Sequence, residues 1–236
     1  MISVLTLTYK RPSLLEEAIE SFLQSMTYSF RYQDGLFQTE MVVINDNPEV
    51  DYVFEHPHVR IINHKERFPS ISAKIEWGYK QCKYDYIYRL DDDDLLAPWA
   101  LNNAQNDITN HPGYDIYRSK GMYFFSENKF EGIQDNINNG NVYSRKYLDR
   151  IKFPDKSGNE DEDITFHHNA TIYTSTHSPS MLYRWGMGTF HISGLGSVTP
   201  EVINNHADKV LDNTTGIISL HPQFLNDYYA QIDKIG

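Results

Sequence analysis

Four consecutive aspartates, Asp91 to Asp94, are the part of this chain that most strongly implies chemistry. They follow the apolar run Tyr86 to Leu90, so they lie where a predicted strand ends. Adjacent carboxylates repel by about 1 kcal/mol per close pair even in water, and a divalent cation with oxygen ligands would offset that repulsion. The alternative is an acidic turn that caps a helix beginning near Pro98, but capping uses one or two aspartates rather than four. We therefore favour a metal site.

The elements that would position this run alternate between strands and helices up to about residue 113. Apolar, β-branched runs predict strands, and apolar residues at helical spacing predict helices. This order predicts an α/β fold with a doubly wound, mostly parallel sheet and helices on both faces. Residues 26–39 form a long connection, which predicts an insertion or hairpin around Asp34-Gly35. The predicted strands are 2–8, 41–44, 59–62 and 84–90, and the predicted helices are 70–82, 97–109 and one that begins at Pro12.

Three of these strands end in polar residues: Thr8-Tyr9, Asn45-Asp46 and the aspartate run. Ligands of doubly wound sheets bind beyond the carboxyl ends of the strands, so we expect these residues to converge. The pattern is less regular after residue 113. It predicts strands at 114–117, 121–125 and 180–183, a turn-rich loop at 136–141, and helices at 144–150 and 161–169.

The composition fits one sizeable globular α/β domain, or two small ones, with 236 residues, 40% hydrophobic and 22% charged. A net charge of -11 disfavours duplex nucleic acid or an anionic membrane as a partner held by general charge attraction. Lys10-Arg11 and Lys65 to Arg67 are candidate local basic patches. We expect no membrane span, no signal peptide and a cytoplasmic location. The single cysteine, Cys82, lies in a predicted helix, which favours a buried thiol over a catalytic one.

Three segments, residues 3–12, 42–47 and 86–98, resemble the family 2 glycosyltransferases of the GT-A fold. The first departs from the family pattern, with Leu7 where proline is usual and Lys10 where asparagine is usual. The resemblance covers roughly residues 2–195 and is strongest in the first hundred. It implies a single GT-A domain over residues 1–236. About 1–113 would form the nucleotide-sugar-binding half, and about 114–236 the acceptor side with C-terminal helices.

The resemblance implies a UDP- or GDP-sugar donor and a glycan or other hydroxyl acceptor. It implies that Asp46 accepts a hydrogen bond from a base N–H and that Tyr9 stacks on the base. The alternative for Asp46 is an Asx turn before Pro48. Lys74 would reach the donor phosphates, or else be a solvated helix lysine. The implied nucleotide-sugar-binding residues are Thr8, Tyr9, Arg11, Asp46, Lys74, Asp91 and Asp92.

The same resemblance implies a Mn or Mg ion, between which oxygen ligands do not discriminate. Asp93 would ligate the ion directly, and Asp91 would contact the ribose or a metal-bound water. Asp92 or Asp94 would assist. A late segment, residues 183–193, resembles one in which a histidine returns to the metal or the phosphates. His191 is therefore a third candidate ligand, although a lone histidine is more often structural.

The acidic run Glu160 to Asp163 resembles the family motif that supplies a general base at the start of a helix. In inverting members the first aspartate, here Asp161, takes the proton of the acceptor hydroxyl. Neighbouring carboxylates would raise its pKa towards the range that suits a base. The register is ambiguous by two residues, so Asp163 is a second candidate. The alternative is an acidic first turn that the helix dipole favours.

Two other functions stay open. A sugar nucleotidyltransferase shares the α/β arrangement and the metal carboxylates, but the segment from Thr8 to Pro12 lacks the glycine-rich phosphate loop it would need. A non-catalytic metal- or carbohydrate-binding module would keep the fold without the chemistry. Hydrolysis of the donor without an acceptor would separate both from a transferase.

Overall fold

A central sheet of seven strands organises the computed structural model, which describes residues 1–32, 37–135, 140–156, 160–166, 168–185 and 212–232. The strands are β1 (Ile2–Thr8), β2 (Thr39–Asn45), β3 (Val50–Val53), β4 (Val59–Asn63), β5 (Tyr86–Asp91), β6 (Leu95–Leu96), β7 (Ile116–Arg118), β8 (Gly121–Ser126), β9 (Lys129–Asp135), β10 (Val142–Ser144), β11 (Ile172–Thr174), β12 (Met181–Trp185) and β13 (Gly216–Ser219). The helices are α1 (Pro12–Tyr32), α2 (Ile71–Tyr79), α3 (Ala100–Asn110), α4 (Arg145–Leu148), α5 (Glu160–Phe166) and α6 (Tyr228–Ile232).

The central sheet has the order β11-β7-β10-β5-β1-β2-β4. Strands β5, β1, β2 and β4 are mutually parallel, and β10 runs antiparallel to both of its neighbours. All seven residues of β1 are buried, because helices cover both faces. Ile2 and Val4 pack towards α1 and α3, whereas Leu5 and Leu7 pack towards α2, α4 and α5. The predicted doubly wound, mostly parallel sheet is confirmed.

The predicted start of the long connection at residue 26 is wrong, because α1 continues to Tyr32. Its apolar face extends through Met26, and buried serines allow close packing beyond Phe22. Ser21 Oγ accepts a hydrogen bond from the Leu96 backbone N–H, and Ser25 Oγ accepts one from the Leu101 backbone N–H, both at 3.1 Å. These bonds tie α1 to β6 and α3. The expected turn at Asp34-Gly35 lies outside the described residues.

Two smaller sheets complete the described structure, with the orders β6-β12-β8-β9 and β13-β3. Because β6 forms immediately after the aspartates, α3 begins at Ala100 rather than at residue 97. Strand β13 pairs in parallel with β3, and the Asp212 N–H donates to the Lys10 carbonyl at 2.8 Å. The segment 212–219 therefore lies beside the turn after β1. The single-domain organisation stays a prediction.

The described helices include none with both the length and the apolar character to cross a bilayer. The predicted turn-rich loop overlaps residues 136–139, which are outside the described ranges, and β9 extends to Asp135 before it.

Native Cys82 is expected to resist alkylation. The residue is 6% exposed, and burial raises the pKa of its thiol to about 12, so little reactive thiolate is present at pH 8. Iodoacetamide should leave the folded chain unmodified over a time in which urea-unfolded chain reacts fully. Intact mass measures the result directly, because the sequence has one cysteine. Equal labelling rates in the two states would contradict the burial described here.

Candidate active site

The carboxyl ends of β1, β2 and β5 meet at one edge of the central sheet. Thr8 is opposite Asn45 across β1 and β2, and Leu7 is opposite Asp91 across β1 and β5. This register brings the three polar strand ends together, as their positions in the sequence predict.

The acidic loop, Asp91 to Asp94, contains a set of three carboxylates suited to a cation. Oxygens of Asp91, Asp93 and Asp94 all lie within 4.8 Å of one another. Asp94 Oδ1 accepts the backbone N–H of Arg184 at 3.2 Å, but its buried Oδ2 has no hydrogen-bond partner among the described residues. Burial raises the pKa of Asp94 well above its usual range, and Asp93 and Asp91 raise it further. An unpartnered buried oxygen and a hard-oxygen donor set fit a divalent cation.

Asp92 is held by Arg11 and is not part of this set. Arg11 Nε donates to Asp92 Oδ2 at 3.2 Å, and Nη2 pairs with Asp92 Oδ1. Its third nitrogen, Nη1, donates to Asp93 Oδ2 at 3.0 Å. Burial raises the pKa of Asp92 to about 6, Arg11 lowers it and Asp93 raises it. The fully buried Asp92 thus anchors the guanidinium of Arg11, a predicted donor-binding residue.

The predicted base-binding residues Tyr9 and Asp46 lie together beyond β1 and β2. Asp46 is 1% exposed and accepts from Arg67 Nη1 at 2.6 Å, Lys74 Nζ at 2.5 Å and the Phe68 N–H at 3.1 Å. The Arg67 guanidinium carbon also lies 3.6 Å from the centre of the Tyr9 ring. Arg67 therefore contacts both the Tyr9 ring and the Asp46 carboxylate, and its side chain is half exposed.

Two alternatives from the sequence are wrong. The Asx turns before β3 are made by Asn45 and Asn47, whose side-chain oxygens accept the N–H groups of Asn47 and Glu49, and not by Asp46. Lys74 is buried rather than solvated, and its ammonium also donates to the Thr8 carbonyl at 2.7 Å. Burial lowers the pKa of Lys74 to about 8 and Asp46 raises it. Lys74 therefore fixes the Asp46 carboxylate beside the end of β1.

The second acidic run forms the start of α5, and its two base candidates have different surroundings. Burial raises the pKa of Asp161 to about 8; Arg89 lowers it, and Asp91 and Glu160 raise it. Arg89 is buried in β5 and pairs with Asp91 Oδ1 at 2.5 Å. Asp161 and the acidic loop thus lie within electrostatic range of the same arginine. Asp163, by contrast, pairs with Lys156.

Arg184 on β12 contacts the acidic loop from the protein interior. The side chain is fully buried, and its Nε donates to the Asp93 carbonyl. Its Nη1 pairs with buried Glu17 of α1 and donates to the Tyr228 hydroxyl of α6 at 3.3 Å. These bonds connect three elements to the loop.

Sequence reasoning assigned no role in the site to the three arginines Arg67, Arg89 and Arg184, although it named Arg67 within a candidate basic patch, and it gave Asp94 only an assisting role. A signal was present for two of them, because a lone arginine in a buried strand needs an internal anion. Arg67 carried no such signal, since it lies in a polar loop. His191 lies outside the described residues.

The comparisons with known proteins agree with this architecture. The family model described as Glycosyl transferase family 2 matches residues 3–174. Among solved structures, S. aureus TarS 1-349 in complex with UDP-GlcNAc has a TM-score of 0.64 at 17% identity, with 89% of this chain and 65% of that chain covered. The structure titled S. aureus TarS has a TM-score of 0.59 at 18% identity, with 89% and 38% covered.

A third structure, S. aureus TarS 1-349, has a TM-score of 0.58 at 17% identity, with 78% of this chain and 60% of that chain covered. The chain therefore spans less than two thirds of the length of these structures. No curated protein matches it significantly. The likeness shows the GT-A fold, as the sequence predicts. Since the family model covers most of its length, the chain belongs to glycosyl transferase family 2.

Proposed function

We propose that the protein is a metal-dependent glycosyltransferase that moves a sugar from a uridine-diphosphate sugar to the hydroxyl of a glycan or another acceptor, with inversion. The observation that carries the proposal is the acidic loop. Its three clustered carboxylates lie at the same sheet edge as Tyr9 and Asp46, and one of them has a buried oxygen with no hydrogen-bond partner in the part of the chain that the structure describes. The TarS structures bound to UDP-GlcNAc and UDP support a uridine nucleotide.

The base site has groups that complement uracil. Tyr9 offers a stacking face, the Asp46 carboxylate accepts from a ring N–H, and Arg67 donates to a ring carbonyl. Arg67 lies on the Tyr9 ring, so it would have to move aside or close over the base. Its half-exposed side chain leaves room for either movement.

The reaction is a single displacement. The acceptor oxygen attacks the anomeric carbon while its proton passes to the Asp161 carboxylate. The bond from the anomeric carbon to the diphosphate oxygen breaks, and the nucleoside diphosphate leaves with the electron pair. A cation held by Asp91, Asp93 and Asp94 would neutralise the leaving diphosphate.

Arg89 has a separate role beside Asp161, the proposed general base. It pairs with Asp91 and lowers the pKa of Asp161, which burial and the nearby carboxylates raise. Opposed effects of this kind place a carboxyl in the range in which it both accepts and releases a proton near neutral pH.

Thermal shift with nucleotides tests the proposal. UDP or UDP-GlcNAc with Mn²⁺ should raise the melting temperature in proportion to ln(1 + [L]/Kd). Neither nucleotide should do so without the metal. Asp93→Asn should abolish the shift, and Asp85→Asn should keep it, because Asp85 is an exposed carboxylate just before the start of β5, at the opposite edge of the sheet. If no nucleotide stabilises the chain with any divalent metal, the transferase proposal fails and a non-catalytic module becomes the better explanation.

A further inference from the structure

Arg11 forms an ion pair with Asp93, one of the carboxylates that a cation would use. Its Nη1 lies 3.0 Å from Asp93 Oδ2, and its other two nitrogens engage Asp92. Asp93 belongs to the three-carboxylate set, and Asp92 does not. The guanidinium therefore bridges the candidate metal site and a carboxylate outside it.

Arg11 is the most exposed of three arginines that contact the acidic loop. Its side chain is 17% exposed, against 6% for Arg89 and 0% for Arg184. Arg89 is fixed by its own strand, since Nη1 donates to the Leu90 carbonyl at 3.0 Å. Arg184 is fixed by Glu17. Only Arg11, among these three, both contacts a carboxylate of the metal set and reaches the surface.

A divalent cation on Asp93 would lie close to this guanidinium. Like charges at such short separation repel strongly where water is scarce. Asp92 holds the guanidinium through two nitrogens, so release from Asp93 would leave Arg11 beside the loop. An incoming diphosphate offers anionic oxygens to the cation and to the released Nη1 together.

We propose that the Arg11 guanidinium competes with the divalent ion for Asp93. When the donor binds, Nη1 of Arg11 exchanges its contact with Asp93 for a contact with the donor diphosphate. Metal alone then binds weakly, and metal and nucleotide each promote binding of the other. This coupling rests on the proposed function; the competition at Asp93 does not. The arrangement would limit metal loading in the absence of donor.

Titration of the full chain with Mn²⁺, followed by the electron paramagnetic resonance of the free ion, tests the competition. Arg11→Gln should bind Mn²⁺ alone about 10-fold more tightly than the wild type, because the competing charge is gone. Lys10→Met removes a neighbouring positive charge that pairs with Glu49 instead, and it should leave the affinity unchanged. An equal or weaker Mn²⁺ affinity in Arg11→Gln would overturn the proposal.

Repeating the titration with saturating UDP tests the exchange. UDP should tighten Mn²⁺ binding to the wild type about 10-fold or more, within the usual range of coupling between two ligands. In Arg11→Gln that factor should be smaller, because the coupling that remains comes only from the direct contact between the cation and the diphosphate. An undiminished factor in the variant would also overturn the proposal. If UDP binds neither protein, the proposed function fails, and the Mn²⁺ titration alone still decides the competition.

Arg11→Lys covers the case in which the glutamine variant does not fold. Lysine keeps the charge but lacks the planar fork that contacts two carboxylates together. Its Mn²⁺ affinity should exceed that of the wild type, because the contact with Asp93 is lost first. Wild-type affinity in a folded Arg11→Lys protein would count against the competition.

Discussion

Replacing Asp161 with asparagine is expected to reduce turnover of the nucleotide-sugar donor by about 10²- to 10⁴-fold, the usual effect of losing a general base. Asparagine has nearly the same shape but cannot take the acceptor proton. Burial raises the pKa of Asp161 to about 8, so the ionised, basic fraction increases with pH and half is reached near pH 8. Wild-type activity should therefore rise from pH 6 through pH 8 and level off only at pH values well above 8. Release of UDP from UDP-GlcNAc, with water or a hydroxyl compound as acceptor, measures both effects.

The matched control is Asp163→Asn, two residues along the same helix. Asp163 pairs with Lys156, so its loss should leave turnover within a few-fold of the wild type. Both variants should keep the metal-dependent thermal shift with UDP, since neither residue belongs to the three-carboxylate set. A large loss in Asp163→Asn with an active Asp161→Asn would reverse the assignment. Loss of nucleotide binding in both would indicate damage to the fold.

The parallel half of the fold could be predicted from the sequence because its strands are buried on both faces. Such strands are short apolar runs between polar turns, and 2–8 is recovered without error as β1. The peripheral strands gave no such signal. Strand β6 has two residues, and β9 is mostly exposed, so each depends on a partner that sequence periodicity does not reveal.

Some residues of the candidate site could likewise be predicted from the sequence, and others could not. The positions of Asp91, Asp93 and Asp46 at one sheet edge could be predicted, because these residues lie at or just beyond the ends of buried strands. The choice between Asp161 and Asp163 could not, since both lie on one short helix and differ in which neighbours they face. Arg67 could not be predicted either, because its contacts join residues 9 and 46 through a loop. Local sequence determines which residues end a strand, whereas tertiary packing determines which charges meet.

The three-carboxylate site depends on buried arginines, and Arg184 makes the most extensive contacts. Arg184→Met is expected to lower the free energy of unfolding by about 3–5 kcal/mol, the typical cost of removing one partner of a buried ion pair. Methionine keeps much of the volume but leaves Glu17, which is fully buried, without its guanidinium partner. It also removes the donor to the Asp93 carbonyl and the bond to Tyr228. Urea unfolding followed by circular dichroism measures the change.

The double variant Glu17→Gln with Arg184→Met separates an unpaired charge from lost packing. With the buried Glu17 carboxylate replaced by a neutral amide, it should be more stable than Arg184→Met alone, although Glu17 Oε1 also accepts the Leu225 N–H at 2.9 Å. Glutamine keeps an oxygen for that bond. If the double variant is less stable than both single variants, the cost does not come from a stranded charge. The pair would then act through the geometry it imposes on α1 and β12, and Mn²⁺ affinity should fall in the double variant even at a temperature where it is fully folded.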